Sequence, residues 1–71
     1  MSIEENVKKF SGKLIKKFRK EKGMTQQQLA DITGVSHPRI SQMERETACP
    51  SLNFAAVLAY VLECNIEDFL E

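Results

Sequence analysis

Thr25–Glu44 reads TQQQLADITGVSHPRISQME, and the fold follows from it. Thr25 with Gln28 has the spacing of a capping box, which satisfies two orphan amides at a helix start. Leu29 and Ala30 fall on the inner side of the helix that follows, and Ala30 is small enough for close helix contact. Gly34 supplies a left-handed turn that a β-carbon would penalise. A second helix then begins near Ser36 or His37. Ser36 is a good cap, and Pro38 is tolerated only in a first turn, where its missing amide is not needed. Val35, Ile40 and Met43 form the inner face of this helix. At about 100° per residue, Pro38, Gln42 and Arg45 lie opposite Ile40, with Arg39 and Ser41 beside them. Two short helices joined by a tight turn, the second with a polar and basic outer stripe, are the reading of these residues.

On the N-terminal side, Val7, Phe10, Leu14, Ile15 and Phe18 recur at three- and four-residue steps, with lysines between them. That spacing predicts an amphipathic helix from Val7 to Lys22 with a basic outer face, ended by Gly23. Gly12 weakens helix propensity locally, so the helix proper is expected to start near it. On the C-terminal side, Glu46–Pro50 reads as a loop. Ser51 caps a helix from Leu52 to about Glu63, and Asn65 caps a short one over Ile66–Leu70, with Glu67 and Asp68 at its positive end. No segment has a strand pattern. The expected fold is all-α: one compact bundle of about five short helices.

The chain has 71 residues, enough for a single domain over 1–71. A domain this small buries only about 60% of its unfolded surface and needs efficient packing. Hydrophobic content of 42% and charged content of 28% are globular values. No apolar run approaches the roughly 18 residues needed to span a bilayer, and the N-terminus lacks a signal-peptide pattern. Cys49 and Cys64 lack metal-ligand spacing and read as free thiols. A cytoplasmic protein is expected. Formal net charge is zero, yet its distribution is uneven. Basic residues dominate up to Lys22, whereas residues 46–71 contain acids and no Lys or Arg. One pole suits a polyanion; the other faces away from it or meets a protein.

Nothing in the chain suggests catalysis or a cofactor. His37 is the single histidine, and no nucleophile–base set or ligand cluster accompanies it. Two helices around Gly34 are instead the layout of a helix-turn-helix, which presents its second helix to the major groove of DNA.

KGMTQQQLADITGVSHPRISQMER, followed by PSL, an apolar helix and NIEDFL, resembles the Cro/repressor-type (XRE-like) helix-turn-helix family over about residues 11–70. The resemblance implies a lambda-repressor-like domain that binds double-stranded DNA, with 25–44 as the helix-turn-helix, 1–10 as an N-terminal extension and 51–70 as C-terminal helices. Gln26 matches a residue that contacts the phosphate backbone. Ser36 and His37 match residues near the backbone and the first base. Pro38 and Gln42 match positions facing base edges, with Arg39 beside them and Arg45 further along the same stripe. Arg19 and Glu44 match a pair that forms an internal salt bridge in related phage repressors. Three positions depart from the family: Ile32-Thr33 inverts the usual order before the turn glycine, Arg45-Glu46-Thr47 lacks a glycine, and Cys49 replaces a basic residue.

Within that frame, Gln42 can pair bidentately with adenine N6 and N7, Arg39 with guanine O6 and N7, and Pro38 can meet a thymine methyl. Lys8, Lys9, Lys13, Lys16, Lys17, Lys20 and Lys22 serve mainly long-range attraction. The fourth helix carries nine consecutive apolar residues from Phe54 to Leu62. Leu52, Ala55, Leu58, Ala59 and Leu62 suffice for a core face. Val57, Tyr60 and Val61 are surplus, and with Phe69 and Leu70 they suggest a dimer interface or a surface for a partner protein. The alternative is a central helix covered by residues 1–10. A two-fold dimer would set two recognition helices about 34 Å apart over a palindrome. The expected function is a DNA-binding transcriptional regulator, a dimeric repressor. The alternatives are an antitoxin that neutralises a partner protein such as a toxin, and a restriction–modification controller.

Overall fold

In a computed structural model, residues 9–71 are described. They form four α-helices, α1 (Gly12–Glu21), α2 (Gln26–Thr33), α3 (His37–Glu44) and α4 (Leu52–Val61), and a 3₁₀ turn at Ile66–Phe69. Val7 and Lys8, the start of the expected first helix, lie outside the described residues. The helix itself begins at Gly12, because Ser11 caps it: the Ser11 hydroxyl accepts from the Leu14 amide at 3.3 Å. Phe10 is in extended backbone and makes an isolated antiparallel bridge to Leu70. Around that bridge the Ser11 amide donates to the Phe69 carbonyl and the Glu71 amide to the Lys9 carbonyl, at 2.7 and 3.0 Å.

Gly12 has a role that helix propensity does not reveal. A β-carbon there would lie 2.0 Å from the Met43 carbonyl oxygen. α1 therefore crosses the C-terminal end of α3 at a distance only glycine permits. The other helix starts are capped locally. Thr25 and Gln28 exchange side-chain-to-amide bonds of 3.0 and 2.8 Å. Ser36 Oγ accepts from the Arg39 amide at 3.3 Å, and Ser51 Oγ accepts from the Phe54 amide at 3.1 Å. Gly34, with φ 75°, ends α2 in the left-handed region.

Ile15, Leu29, Ala30, Ile40, Met43, Leu58, Ala59, Leu62 and Phe69 form one buried cluster to which every helix contributes. Phe18 and Phe69 meet edge-to-face with centroids 5.8 Å apart, a geometry worth about 0.5–1.5 kcal/mol beyond area burial. Three expectations are corrected. α4 stops at Val61, because Glu63 turns into the left-handed region at φ 56°. Ile66–Leu70 closes as a 3₁₀ turn, too short to propagate as an α-helix. Leu52, expected in the core, is 67% exposed: as the first residue of α4 it precedes the turn that packs inward.

Ile32 and Thr33 resolve their inverted order simply. Ile32 is exposed, while the half-buried Thr33 donates its hydroxyl to the Leu29 carbonyl at 2.8 Å and so satisfies itself within α2. The loop after α3 manages without glycine because Glu46 itself adopts φ 63°. The Thr47 amide and hydroxyl both donate to the Gln42 carbonyl, at 2.9 and 3.1 Å, closing the end of α3.

Candidate nucleic-acid interface

α2 and α3, joined at Gly34, turn two faces in opposite directions. Inward go Leu29, Ala30, Ile40 and Met43. Outward on α3 go His37, Pro38, Arg39, Gln42 and Arg45, all exposed. Pro38 sits in the first turn of the helix, where the cap needs no amide from it. The Arg39 and Gln42 side-chain groups make no hydrogen bond to any described residue, so their donors and acceptors are open to a ligand. The Ser36 hydroxyl is engaged as the helix cap.

Behind this face runs a chain of polar contacts from the core to the surface. Arg19, on α1, donates through Nε to Glu44 Oε2 at 2.6 Å and through Nη2 to Oε1 at 3.0 Å. Its Nη1 donates to the Met24 carbonyl at 2.6 Å, which ties down the α1–α2 connection. The side chains of Arg19 and Glu44 are only 8% and 2% exposed. Glu44 Oε1 also accepts from Gln26 Nε2 at 3.0 Å. Gln26 Oε1 in turn lies 2.9 Å from His37 Nε2. One buried ion pair thus holds α1 to α3, and through Gln26 it fixes the first residues of both α2 and α3. Charge-assisted, bidentate pairs of this kind are the strong ones.

The basic lysines Lys13, Lys16, Lys17, Lys20 and Lys22 are exposed on and just after α1. Lys22 is paired with Glu63, just after α4. That contact, by hydrogen bond and by charge, holds the Glu63 carboxyl below its ordinary range. Among the described residues, no group of three or more His, Cys, Asp or Glu side chains could hold a metal ion. No helix among them is long and apolar enough to cross a membrane. Cys49 and Cys64 are free thiols, and burial pushes the Cys64 thiol up.

The residues expected at a dimer interface do not share one surface. Val57 and Tyr60 are 42% and 86% exposed, Val61 and Leu70 half-buried. Phe69 is fully buried against Phe18, so it belongs to the core and is removed from that set. Leu52 and Ala56 take its place: with Tyr60 they recur every four residues and form an exposed apolar stripe. Sequence reasoning missed Leu52 because its spacing fits the core face of Ala55, Leu58, Ala59 and Leu62, whereas it opens the helix before the turn that packs inward. It missed Ser11 as a cap although a serine before Gly12 is an ordinary start signal.

A family model described as Helix-turn-helix matches residues 15–69. An HTH-type transcriptional regulator of Rickettsia conorii, RC0668, is 32% identical over 69 residues, covering 97% of this chain and 55% of that protein. The HTH-type transcriptional regulator SinR of Bacillus subtilis is 34% identical over 61 residues, covering 84% of this chain and 55% of SinR. A crystal structure of SinR in complex with DNA superposes with a TM-score of 0.74 at 35% identity, covering 79% of this chain and 90% of that one. The chain spans little more than half the length of these two relatives.

Proposed function

Since this chain belongs to the helix-turn-helix family of transcriptional regulators, we propose that it reads a specific double-stranded DNA sequence by placing α3 in the major groove. The observation that carries this reading is the exposed row His37, Pro38, Arg39, Gln42 and Arg45 on a helix whose other side is locked into the core. Arg39 and Gln42 have the donor and acceptor sets to read guanine and adenine edges, and Pro38 is suited to a thymine methyl. Gln26 and Ser36 lie at the helix starts, where a phosphate would be met. Lysines of α1 raise the local concentration of the polyanion. The likeness to SinR, whose structure is in complex with DNA, supports the same reading.

We further propose that two copies bind a palindrome, paired through the apolar stripe of Leu52, Ala56, Val57 and Tyr60 on α4. Exposed apolar patches mark protein contacts, and acidic residues with no Lys or Arg beyond Glu46 keep that end of the chain from competing for DNA. In this reading the protein is a dimeric repressor that works in the cytoplasm.

Selection of bound sequences from random DNA at physiological salt tests the proposal. A recovered motif with two inverted half-sites is the expected result, and recovery of no motif refutes sequence-specific reading. Gln42→Ala is expected to cost about 1–3 kcal/mol on the selected site and to relax preference at one base pair. Equal loss on random DNA would make Gln42 a backbone contact instead.

A further inference from the structure

The polar chain that ends at His37 determines which of its ring atoms faces outward. A carboxylate can only accept hydrogen bonds. Glu44 already receives the Arg19 guanidinium on both oxygens, so the Gln26 atom 3.0 Å from it must be the amide nitrogen. That leaves the Gln26 carbonyl oxygen directed at His37 Nε2, 2.9 Å away. Two lone pairs cannot share a hydrogen bond, so Nε2 carries the proton and donates. In a neutral imidazole the other nitrogen is then a bare acceptor. Nδ1 of His37 makes no hydrogen bond to any described residue, and the side chain is exposed at the first position of α3.

We propose that His37 is a specificity-determining residue that presents Nδ1 as an acceptor and selects a base carrying a major-groove amino group. Adenine offers N6 and cytosine N4 to such an acceptor, whereas guanine and thymine present oxygen at the corresponding position and repel it. Gln26 is its positioning residue. It touches no base in this role and acts by holding the tautomer, with Glu44 and Arg19 behind it. The inference rests on the reading that α3 enters the major groove, and it deepens that reading by giving one position its polarity. It also separates His37 from Arg39, which can only donate.

Two measurements test it. The first needs no DNA. Two-bond nitrogen–proton correlation spectra of the free protein, at a pH where imidazoles are neutral, report the tautomer. Nε2–H with a bare Nδ1 is expected in the wild type, and a mixture of tautomers in Gln26→Leu; Nδ1–H in the wild type overturns the proposal.

The second compares selected sites of the wild type with those of His37→Ala, His37→Gln, Gln26→Ala and the Gln26→Ala/His37→Ala double variant. One position of the wild-type motif should favour adenine or cytosine about tenfold on the strand facing His37. His37→Ala should flatten that position, and Gln26→Ala should weaken it. The double variant should flatten it no further than His37→Ala, because the two residues act as one unit. His37→Gln should keep the preference, since its amide nitrogen can take the Gln26 bond and its oxygen can face the base. A preference for guanine or thymine that depends on His37 overturns the proposal, as does a uniform loss over all sequences, which marks a phosphate contact. A motif that His37→Ala leaves unchanged removes this proposal alone. A wild type that enriches no sequence removes it together with the reading on which it rests.

Discussion

Breaking the Arg19–Glu44 pair should unfold much of this domain's margin, whereas replacing it whole should not. With side chains 8% and 2% exposed, neither group has water to fall back on. Glu44→Ala leaves Arg19 with one acceptor, the Met24 carbonyl, and leaves Gln26 Nε2 without its partner. Arg19→Met leaves Glu44 with Gln26 alone. Removing one member of a buried pair costs about 3–5 kcal/mol, because the remaining charge is stranded. The whole stability expected of a domain at about 0.05–0.15 kcal/mol per residue is of the same order. In urea, where small domains lose roughly 1 kcal/mol per molar, the midpoint should fall by about 3 M or more. By heat, at about 4–8 °C per kcal/mol, Tm should fall by at least ~12 °C. Far-UV circular dichroism follows both transitions, since the fold is helical.

The double variant Arg19→Met/Glu44→Leu removes both charges and restores apolar volume. It should lie above either single variant and within about 2 kcal/mol of wild type, the shortfall coming from the unpaired Met24 carbonyl and Gln26 amide. Single losses below about 1 kcal/mol, the range of exposed ion pairs, would refute the burial argument. A double variant less stable than both singles would show that the pair stabilises through its own bonds rather than strands a charge when broken.

Gly12→Ala gains helix propensity of about 1 kcal/mol, yet its methyl would lie 2.0 Å from the Met43 carbonyl. The clash should dominate, with a net loss of about 1–3 kcal/mol in chemical denaturation; a stabilised variant would place α1 further from α3. Val57→Glu with Tyr60→Glu, both at exposed positions, should abolish self-association without lowering Tm by more than a few degrees. A dimer that survives in sedimentation velocity sinks the α4 interface. Because the Lys22 contact lowers the Glu63 pKa, its stabilisation is complete at neutral pH and is lost as pH falls through the folded value. The Tm difference between wild type and Lys22→Met should therefore shrink on going from pH near 7 to pH near 3. A difference that is unchanged in acid would rule out that linkage.

Local signals carried the helix-turn-helix. Thr25, Gln28, Gly34, Ser36 and Pro38 each have a chemical reason to stand at a helix end, and the helices start and stop there. What could not be read was long-range. Gly12 looked like a weak helix residue because its reason lies far along the chain, at the Met43 carbonyl. Phe69 and Leu52 exchanged roles for a related cause. The phase of α4 was legible at Ala55, Leu58, Ala59 and Leu62, all buried, but Leu52 opens the helix before the turn that packs inward, and the burial of Phe69 depends on the chain returning beside Phe18 and Phe10. The Gln26–His37 bond likewise spans eleven positions across a turn, and only the left-handed Gly34 brings the two helix starts within reach.

The bridge between Phe10 and Leu70 places residues 9 and 71 one hydrogen bond apart. Tension applied across these two points would not stretch the helices. It would act along the hydrogen bonds that join the antiparallel segments, so that they open one after another like a zipper and do not resist together in shear. The domain is thus mechanically soft in that one direction. Anything that tugs on both flanks would part Glu71 from Lys9 first, then Ser11 from Phe69, and would uncap α1 before the helices α2 and α3 felt any load.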